Sequence, residues 1–270
     1  MSEIETQQQT IFGDPLTEQV RVETSGRTIR PWKRMIDEIA SEWRLHATED
    51  GFAVDAVDTA NVFAIFTELN ASAFDTYDIA EETVLGNVGA FGSVLQHARY
   101  GKSSDDALTL IADETQIESH VHRPLGDAEA TVSERADLAD PASIRQEADL
   151  PDLDLGVTVE MQPETFVEAV DVLDTANNFV KLGSNTESVV FAQESETNTR
   201  NIELACEPTE ASEFTYFSGG YIESLATAVR NGYVDSLTLK WDEEFPLLVE
   251  FAREDLYEGT MMVAPRIKSE

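Results

Sequence analysis

The chain of 270 residues carries 53 acidic against 18 basic side chains, a formal net charge of −35, with 41% hydrophobic residues. That length and apolar content fit two domains of ordinary size, each able to bury its own core. One cysteine, Cys206, excludes an internal disulfide and any CxxC metal or redox motif, and no run approaches the roughly 18 apolar residues of a membrane span. The acid is spread along the chain rather than gathered in a tail. In dilute buffer such self-repulsion opposes compaction, but at about 1 M salt the Debye length is roughly 3 Å and the repulsion is mostly screened. The composition is that of a cytosolic protein of an extreme halophile. The competing reading is a mesophilic acidic partner of basic proteins, or a nucleic-acid mimic.

Residues 1–19 are rich in Gln, Glu and Thr, lack the charged and apolar regions of a signal peptide, and are expected to form a flexible N-terminal extension. Residues 20–26 read as a strand. Thr28 can cap a helix with Pro31 in its first turn, and Ile29, Trp32, Met35, Ile36 and Ile39 recur on one helical face. Strands are predicted at 41–49, 52–57, 62–69 and 73–79, a second helix over 87–99 with Val88, Phe91, Val94 and Leu95 inward, and strands at 106–112, 115–122 and 128–137. Residues 139–152 hold two prolines and several acids without a period, the pattern of an extended connector. The second half reads as a strand at 155–161, a helix over about 163–175 with Phe166, Val167, Val170 and Leu173 inward, and strands to about 206. A helix at 218–231 carrying Tyr221, Ile222, Leu225, Ala226 and Val229 precedes strands at 234–241, 246–252 and 257–264.

The plan is repeated. Val20-Arg21-Val22-Glu23 returns as Val157-Thr158-Val159-Glu160, and Leu108-Thr109-Leu110 returns as Leu237-Thr238-Leu239, each time after a helix-like stretch that ends near a glycine. Two long copies are too few for a solenoid and imply two similar domains.

Constellations for catalysis are weak. His120 and His122 at i, i+2 share a strand face, but no third ligand lies at a telling distance, so they read as surface histidines and no metal is assigned. Gly86, Gly89 and Gly92 space as GxxGxxG, which is not the dinucleotide fingerprint and reads as helix-entry packing. No nucleophile-elbow motif is present. The chain reads as a non-enzyme without a cofactor. The scarce cations are more informative: Arg27, Arg30 and Arg34 fall on one polar stripe of the first helix, with Lys33 beside them. The stripe reads equally as a solvated face with an Arg34–Glu38 pair or as a phosphate-facing surface.

Asp140-Pro141-Ala142-Ser143-Ile144-Arg145-Gln146-Glu147, followed by Leu150-Pro151-Asp152-Leu153-Asp154-Leu155, resembles the interdomain connector of haloarchaeal sliding clamps, the proliferating cell nuclear antigen (PCNA) family. Phe245-Pro246-Leu247-Leu248-Val249-Glu250-Phe251 resembles that family's penultimate strand, and Met262-Val263-Ala264-Pro265-Arg266-Ile267 its C-terminal signature. Ala56-Val57-Asp58-Thr59-Ala60-Asn61-Val62 and Phe74-Asp75-Thr76-Tyr77 are similar to its first-domain loop and strand. The four motifs occur in the family's order over residues 20–270.

The resemblance implies an α+β fold of two similar DNA-clamp domains, 20–138 and 155–270, joined by a connector at 139–154, each with two helices packed on antiparallel sheets. Three copies would form a ring with helices lining a hole around double-stranded DNA, bound without sequence specificity. Such clamps are not enzymes: a clamp loader places them on DNA, and they tether DNA polymerase and other replication and repair proteins. The implied DNA-facing residues are Arg27, Arg30, Lys33, Arg34, Arg99, Lys102, Lys181, Arg230 and Arg266, although Glu164, Glu168, Asp171 and Asp174 leave the third helix acidic. Clients would insert an apolar plug among Val57, Val62, Ala148, Leu150, Pro246, Met262, Val263, Ala264 and Pro265. Subunits would meet at strand edges carrying Thr131, Val132 and Ala136 on one side and Ile202, Leu204 and Cys206 on the other. The shortened stretch after Cys206, the acidic third helix and residues 1–19 depart from the family. They motivate an alternative: a clamp-like protein that sequesters clients or joins a mixed ring. They also fit a viral or plasmid-borne copy. The expected location is the high-salt cytosol of a halophilic archaeon or its infected host, at the nucleoid.

Overall fold

The computed structural model describes residues 14–100, 105–145, 149–173, 175, 179–194 and 199–266. Its elements are mixed α and β. In chain order they are β1 (Val20–Ser25), α1 (Gly26–Ile39), β2 (Trp43–Thr48), β3 (Gly51–Val57), β4 (Phe63–Asn70), β5 (Thr76–Ile79), β6 (Thr83–Asn87), α2 (Ala90–Leu95), β7 (Ala107–Ala112), β8 (Gln116–Leu125) and β9 (Ala128–Asp137). The later half adds β10 (Val157–Met161), α3 (Pro163–Val172), β11 (Phe179–Ser184), β12 (Ser188–Glu194), β13 (Thr199–Ala205), β14 (Ser212–Ser218), α4 (Gly219–Gly232), β15 (Ser236–Trp241), β16 (Leu247–Arg253) and β17 (Tyr257–Val263). The chain divides into two compact units, Met1–Arg30 with Glu42–Ala53 and Asn70–Arg145, and Pro31–Ser41 with Val54–Leu69 and Gln146–Glu270.

In the first unit the strands run β5-β1-β7-β8-β9, leaving β9 at an edge. β1 and β7 pair antiparallel with Val22 opposite Leu110 and Glu23 opposite Thr109. Trp43 and Phe91 pack with ring centroids 5.2 Å apart, and Phe52, Phe74 and Tyr77 form a second aromatic cluster. The Tyr77 hydroxyl serves the carbonyls of Thr48 and Gly51, both at 2.8 Å. Residues 14–19, part of the expected flexible extension, are tied down here: Gln19 N–H donates to the Ala112 carbonyl and the Arg135 guanidinium to the Asp14 carbonyl at 3.1 Å. Residues 1–13 lie outside the described residues.

The second unit contains two strand sets, β10-β15-β16-β17-β4 and β13-β12-β11-β14, the latter with β13 at an edge. β10 pairs with β15 antiparallel, Val159 opposite Leu239 and Glu160 opposite Thr238. This is the register of Val22 with Leu110 and Glu23 with Thr109, so the two repeated segments of each half are strand partners in matching registers. Trp32 Nε1 donates to Thr67 Oγ1 at 3.1 Å, and that hydroxyl donates to the Glu258 carbonyl at 2.8 Å. Phe166 of α3 meets Phe191 edge-on at 6.0 Å.

The apolar periodicity of α1 is realised: Ile29, Trp32, Met35, Ile36 and Ile39 are all buried, each worth about 1.5–3 kcal/mol relative to exposure. The helix begins at Gly26 rather than at the expected Thr28 cap, which puts Pro31 inside it, where the ring removes an N–H from the helical ladder. The second helix spans 90–95, not 87–99, because Gly89 precedes it in the left-handed conformation at φ 84°. The residues before it form the unforeseen strand β6. There Gly86 is in a strand, not at a helix entry, and lies against the Ala139 backbone, where a Cβ would collide. β14 was likewise absent from the predicted elements.

Gly259 pairs with Phe251 and Thr67 on its two sides, and a Cβ there would meet the Phe66 carbonyl and stand 2.8 Å from the Thr67 Cα. Gly220, in α4, has nothing within 4 Å of the same added atom. Gly259→Ala is expected to destabilise by about 1–3 kcal/mol and Gly220→Ala to be neutral or slightly stabilising, as read by denaturant unfolding in high salt.

Candidate functional site

Most described members of the expected client groove cluster around one loop of the second unit. Asp58, between β3 and β4, folds the loop on itself: its carboxylate accepts the N–H groups of Val62 at 2.7 Å, Phe63 at 3.0 Å and Ala60 at 3.3 Å. It also accepts the Tyr221 hydroxyl of α4 at 2.8 Å. Burial alone would raise this carboxyl, but the backbone donors of Phe63 and Val62, then Tyr221 and Ala60, hold it below its ordinary value. Burial and the facing carboxylate push the Tyr221 phenol up. The Val62 carbonyl in turn accepts Ala264 N–H at 2.8 Å, so Val57, Val62 and Ala264 are held at neighbouring strand ends. Val263 is fully buried, opposite Leu247 and Phe63, and supports this region from inside. Met262, Pro246 and Pro265 are half-buried. Leu150 is 44% exposed and lines a different cleft, with Phe66 and Phe251, that contains none of the other groove residues. Ala148 lies outside the described residues. Asp58 and Tyr221 were missed by sequence reading; the Asp58-Thr59-Ala60 turn pattern could have suggested the first, whereas nothing local links it to a tyrosine in the last helix.

The cations are largely spoken for. Arg27 lies 3.8 Å from Asp105, Lys33 pairs with Asp37 one turn on, and Arg99 grips Asp106 through two nitrogens at 2.9–3.2 Å. Arg230 of α4 holds both oxygens of Asp171 on α3 at 2.7 Å. Burial would raise Asp106, but Arg99, through its side chain and its N–H, keeps it below its ordinary value. The others meet rings: Arg30 over Tyr100 at 5.1 Å, Lys181 over Tyr216 at 5.4 Å and Arg266 over Phe179 at 4.1 Å. Arg34 is exposed. Lys181 is on β11, and α3 exposes Glu164, Glu168 and Asp171. Lys102 and Asp174 fall outside the described residues.

The strands expected to carry self-association are the two edges noted above. On β9, Val132 and Ala136 occupy one face with Ala128, Ala130 and Glu134. Thr131 is on the other, where its hydroxyl meets His122 Nδ1 at 3.0 Å. On β13, Ile202 and Leu204 are half-buried between exposed neighbours, and Cys206 follows the strand. His120 is not a surface histidine. It is buried between Glu118 at 3.0 Å and Ser133 at 2.8 Å, and Arg135 binds the second Glu118 oxygen. Burial would raise Glu118; hydrogen bonds from His120 and Arg135 hold it below its ordinary value. Among the described residues, no group of three His, Cys, Asp or Glu side chains could hold a metal ion, and no helix is long and apolar enough to cross a membrane.

No family model matches the chain. Individual relatives do. It is 31% identical over 242 residues to the DNA polymerase sliding clamp of Natronomonas pharaonis, covering 86% of this chain and 92% of that protein. It is 28% identical over 253 residues to that of Haloarcula marismortui, covering 91% and 98%. Among solved structures, the A. fulgidus PCNA bound to the C-terminal region of FEN-1 has a similar fold, with a TM-score of 0.78 at 24% identity over 93% of this chain and 100% of that one.

Asp58, Asp106 and Glu118 stay ionised to lower pH in the folded protein than in the unfolded chain. Their stabilisation is therefore complete above the ordinary values of 3.8 and 4.5 and is lost as pH falls through the lower folded values. Asp58→Asn is expected to lose about 1–3 kcal/mol near neutral pH and to show a smaller further loss on acidification than the parent. Denaturant unfolding in high salt at neutral and acidic pH checks both.

Proposed function

The chain belongs to the DNA polymerase sliding clamp family, and from that premise we propose that three copies close into a ring around duplex DNA. The ring tethers polymerase and other DNA-processing proteins through their short peptides. Residues 20–138 and 155–270 are its two clamp domains and 139–154 the connector. The observation that carries this reading is the pair of sheet edges. β9 and β13 each end a sheet with an apolar row and an unused ladder edge, and a head-to-tail contact between two different edges closes a ring when its rotation fits.

Retention on DNA is then topological. Affinity built on phosphate contacts falls steeply with salt, and here at least four of the eight described candidate cations already face carboxylates. A closed ring needs little from them: Arg27, Arg30, Arg34 and their neighbours centre the duplex without gripping it. The acidic face of α3 is compatible with such loose contact, so it does not call for the decoy alternative. The protein works as a scaffold without catalysis, metal or cofactor, in a high-salt cytosol where its self-repulsion is screened.

Clients dock an apolar plug at the loop held by Asp58, against Val57, Val62, Pro246, Ala264 and Pro265, as small side chains around a groove suit an aromatic anchor. The solved relative bound to the C-terminal region of FEN-1 supports a peptide as the client element.

Loaded onto nicked circular plasmid, the protein is expected to survive a wash in about 2 M KCl, where phosphate contacts fail, and to be released when the plasmid is linearised. Equal loss from circular and linear DNA in that wash would contradict encirclement. Val57→Asp is expected to weaken a fluorescent client peptide about tenfold or more, roughly 1.4 kcal/mol, in anisotropy titrations, with DNA retention unchanged.

A further inference from the structure

We propose that the outer face of the β11–β14 pair is a docking seat for an arginine of a partner protein, stacked on Phe214 and met by the carboxylates of Glu213, Glu243 and Glu244. The seat depends on neither ring closure nor the client groove.

Alternation along the two strands sets up this face. Phe179, Lys181 and Gly183 project from one side of β11, and Phe214 and Tyr216 from the same side of β14, with Lys181 opposite Tyr216. The intervening Val180, Leu182, Thr215 and Phe217 are buried beneath. The chain beyond β17 lies along the outer edge of β14, where Arg266 N–H donates to the Tyr216 carbonyl at 2.7 Å. Three aromatic rings are thus left on the solvent side. Two of them already carry a cation of this chain: the Arg266 guanidinium lies 4.1 Å from the Phe179 centroid, and the Lys181 ammonium 5.4 Å from that of Tyr216.

Phe214 is the third. Its ring lies against Gly183, where a Cβ would stand 2.9 Å from Cδ1, and it remains 44% exposed. Among the described residues no cation faces it. It lines a cleft of about 650 Å³ with Tyr216, Pro265 and the three carboxylates, none of which is in an ion pair with a described residue. Glu243 and Glu244 come from the β15–β16 turn, in which Phe245 N–H donates to the Asp242 carbonyl. Glu244 takes φ 62° there, so the turn keeps a glutamate where a glycine would be relaxed.

The ladder of rings and cations is therefore filled at two steps and open at the third, with acceptors beside the open ring. A guanidinium fits that step better than an ammonium. It is planar, stacks on an aromatic face, and its fork of donors can serve a carboxylate at the same time. It is also more weakly hydrated, which favours it in a solvent where exposed charge pairs alone are screened. The same three carboxylates disfavour a phosphate-bearing partner.

Fluorine NMR of the full chain carrying 4-fluorophenylalanine at position 214 reads the seat directly, in about 2 M KCl. The probes are the pentapeptide Gly-Ser-Arg-Ser-Gly and the same peptide with citrulline, which keeps the shape and loses the charge. The arginine peptide is expected to shift the resonance saturably, and the citrulline peptide to bind about fivefold more weakly or worse. Glu243→Gln combined with Glu244→Gln, at an unchanged thermal midpoint, is expected to weaken the arginine peptide about threefold or more. No saturable shift, equal binding of the two peptides, or indifference to the paired substitutions would overturn the seat and leave the ring and the client groove standing.

Discussion

A net charge of −35 on a protein of this family sets the constraint from which the rest follows: one polyanion must stay on the polyanion it is proposed to encircle, with few cations to hold it. Coulombic grip is a poor solution, since phosphate-contact affinity falls by orders of magnitude over modest increases in salt. Enclosure is a better one, because a closed ring is held by its own interfaces. The proposed ring therefore shifts the burden from the protein–DNA surface to the edges β9 and β13, where apolar contact strengthens rather than weakens as salt rises.

The few cations are deployed consistently with that shift. Arg99 fastens the end of the α2 segment to Asp106, which also receives the Arg99 N–H. Arg230 ties α4 to α3 through Asp171, and Arg135 neutralises the buried Glu118 beside His120. Exposed pairs such as Arg230–Asp171 are worth about 0–1 kcal/mol. The Glu118 cluster matters more, because a buried carboxylate left without partners is costly. Charge in this molecule mostly positions elements. The Asp58 loop does the same for the proposed client groove, joining α4, the β3–β4 loop and the chain beyond β17 through one carboxylate and one carbonyl.

The repeat was legible as sequence because strand partners had been duplicated together: Val22 with Leu110 and Val159 with Leu239 occupy equivalent ladder positions. The α1, α3 and α4 faces were legible from their period, since Trp32, Phe166 and Leu225 all point into cores. β14 was not, because its pattern is inverted. Thr215 is buried, donating its hydroxyl to the Asp242 carbonyl, while Phe214 lies outside over Gly183, its Cδ1 2.9 Å from where a Cβ would sit. β6 was hidden by apolar residues that extend the α2 period backwards through Val88, until Gly89 breaks it. The candidate site was legible as residue types in a family order, but its long-range ties were not: Asp58 to Tyr221 and Arg27 to Asp105 join positions that no local spacing connects.

Self-association, enabled by screening, makes the proposed ring. Light scattering in about 2–3 M KCl and again at low salt tests it directly, because removing screening restores the repulsion of 35 charges per copy. A species of three times 29.9 kDa is expected in high salt, falling apart at low salt. A monomer at every salt and concentration would contradict it.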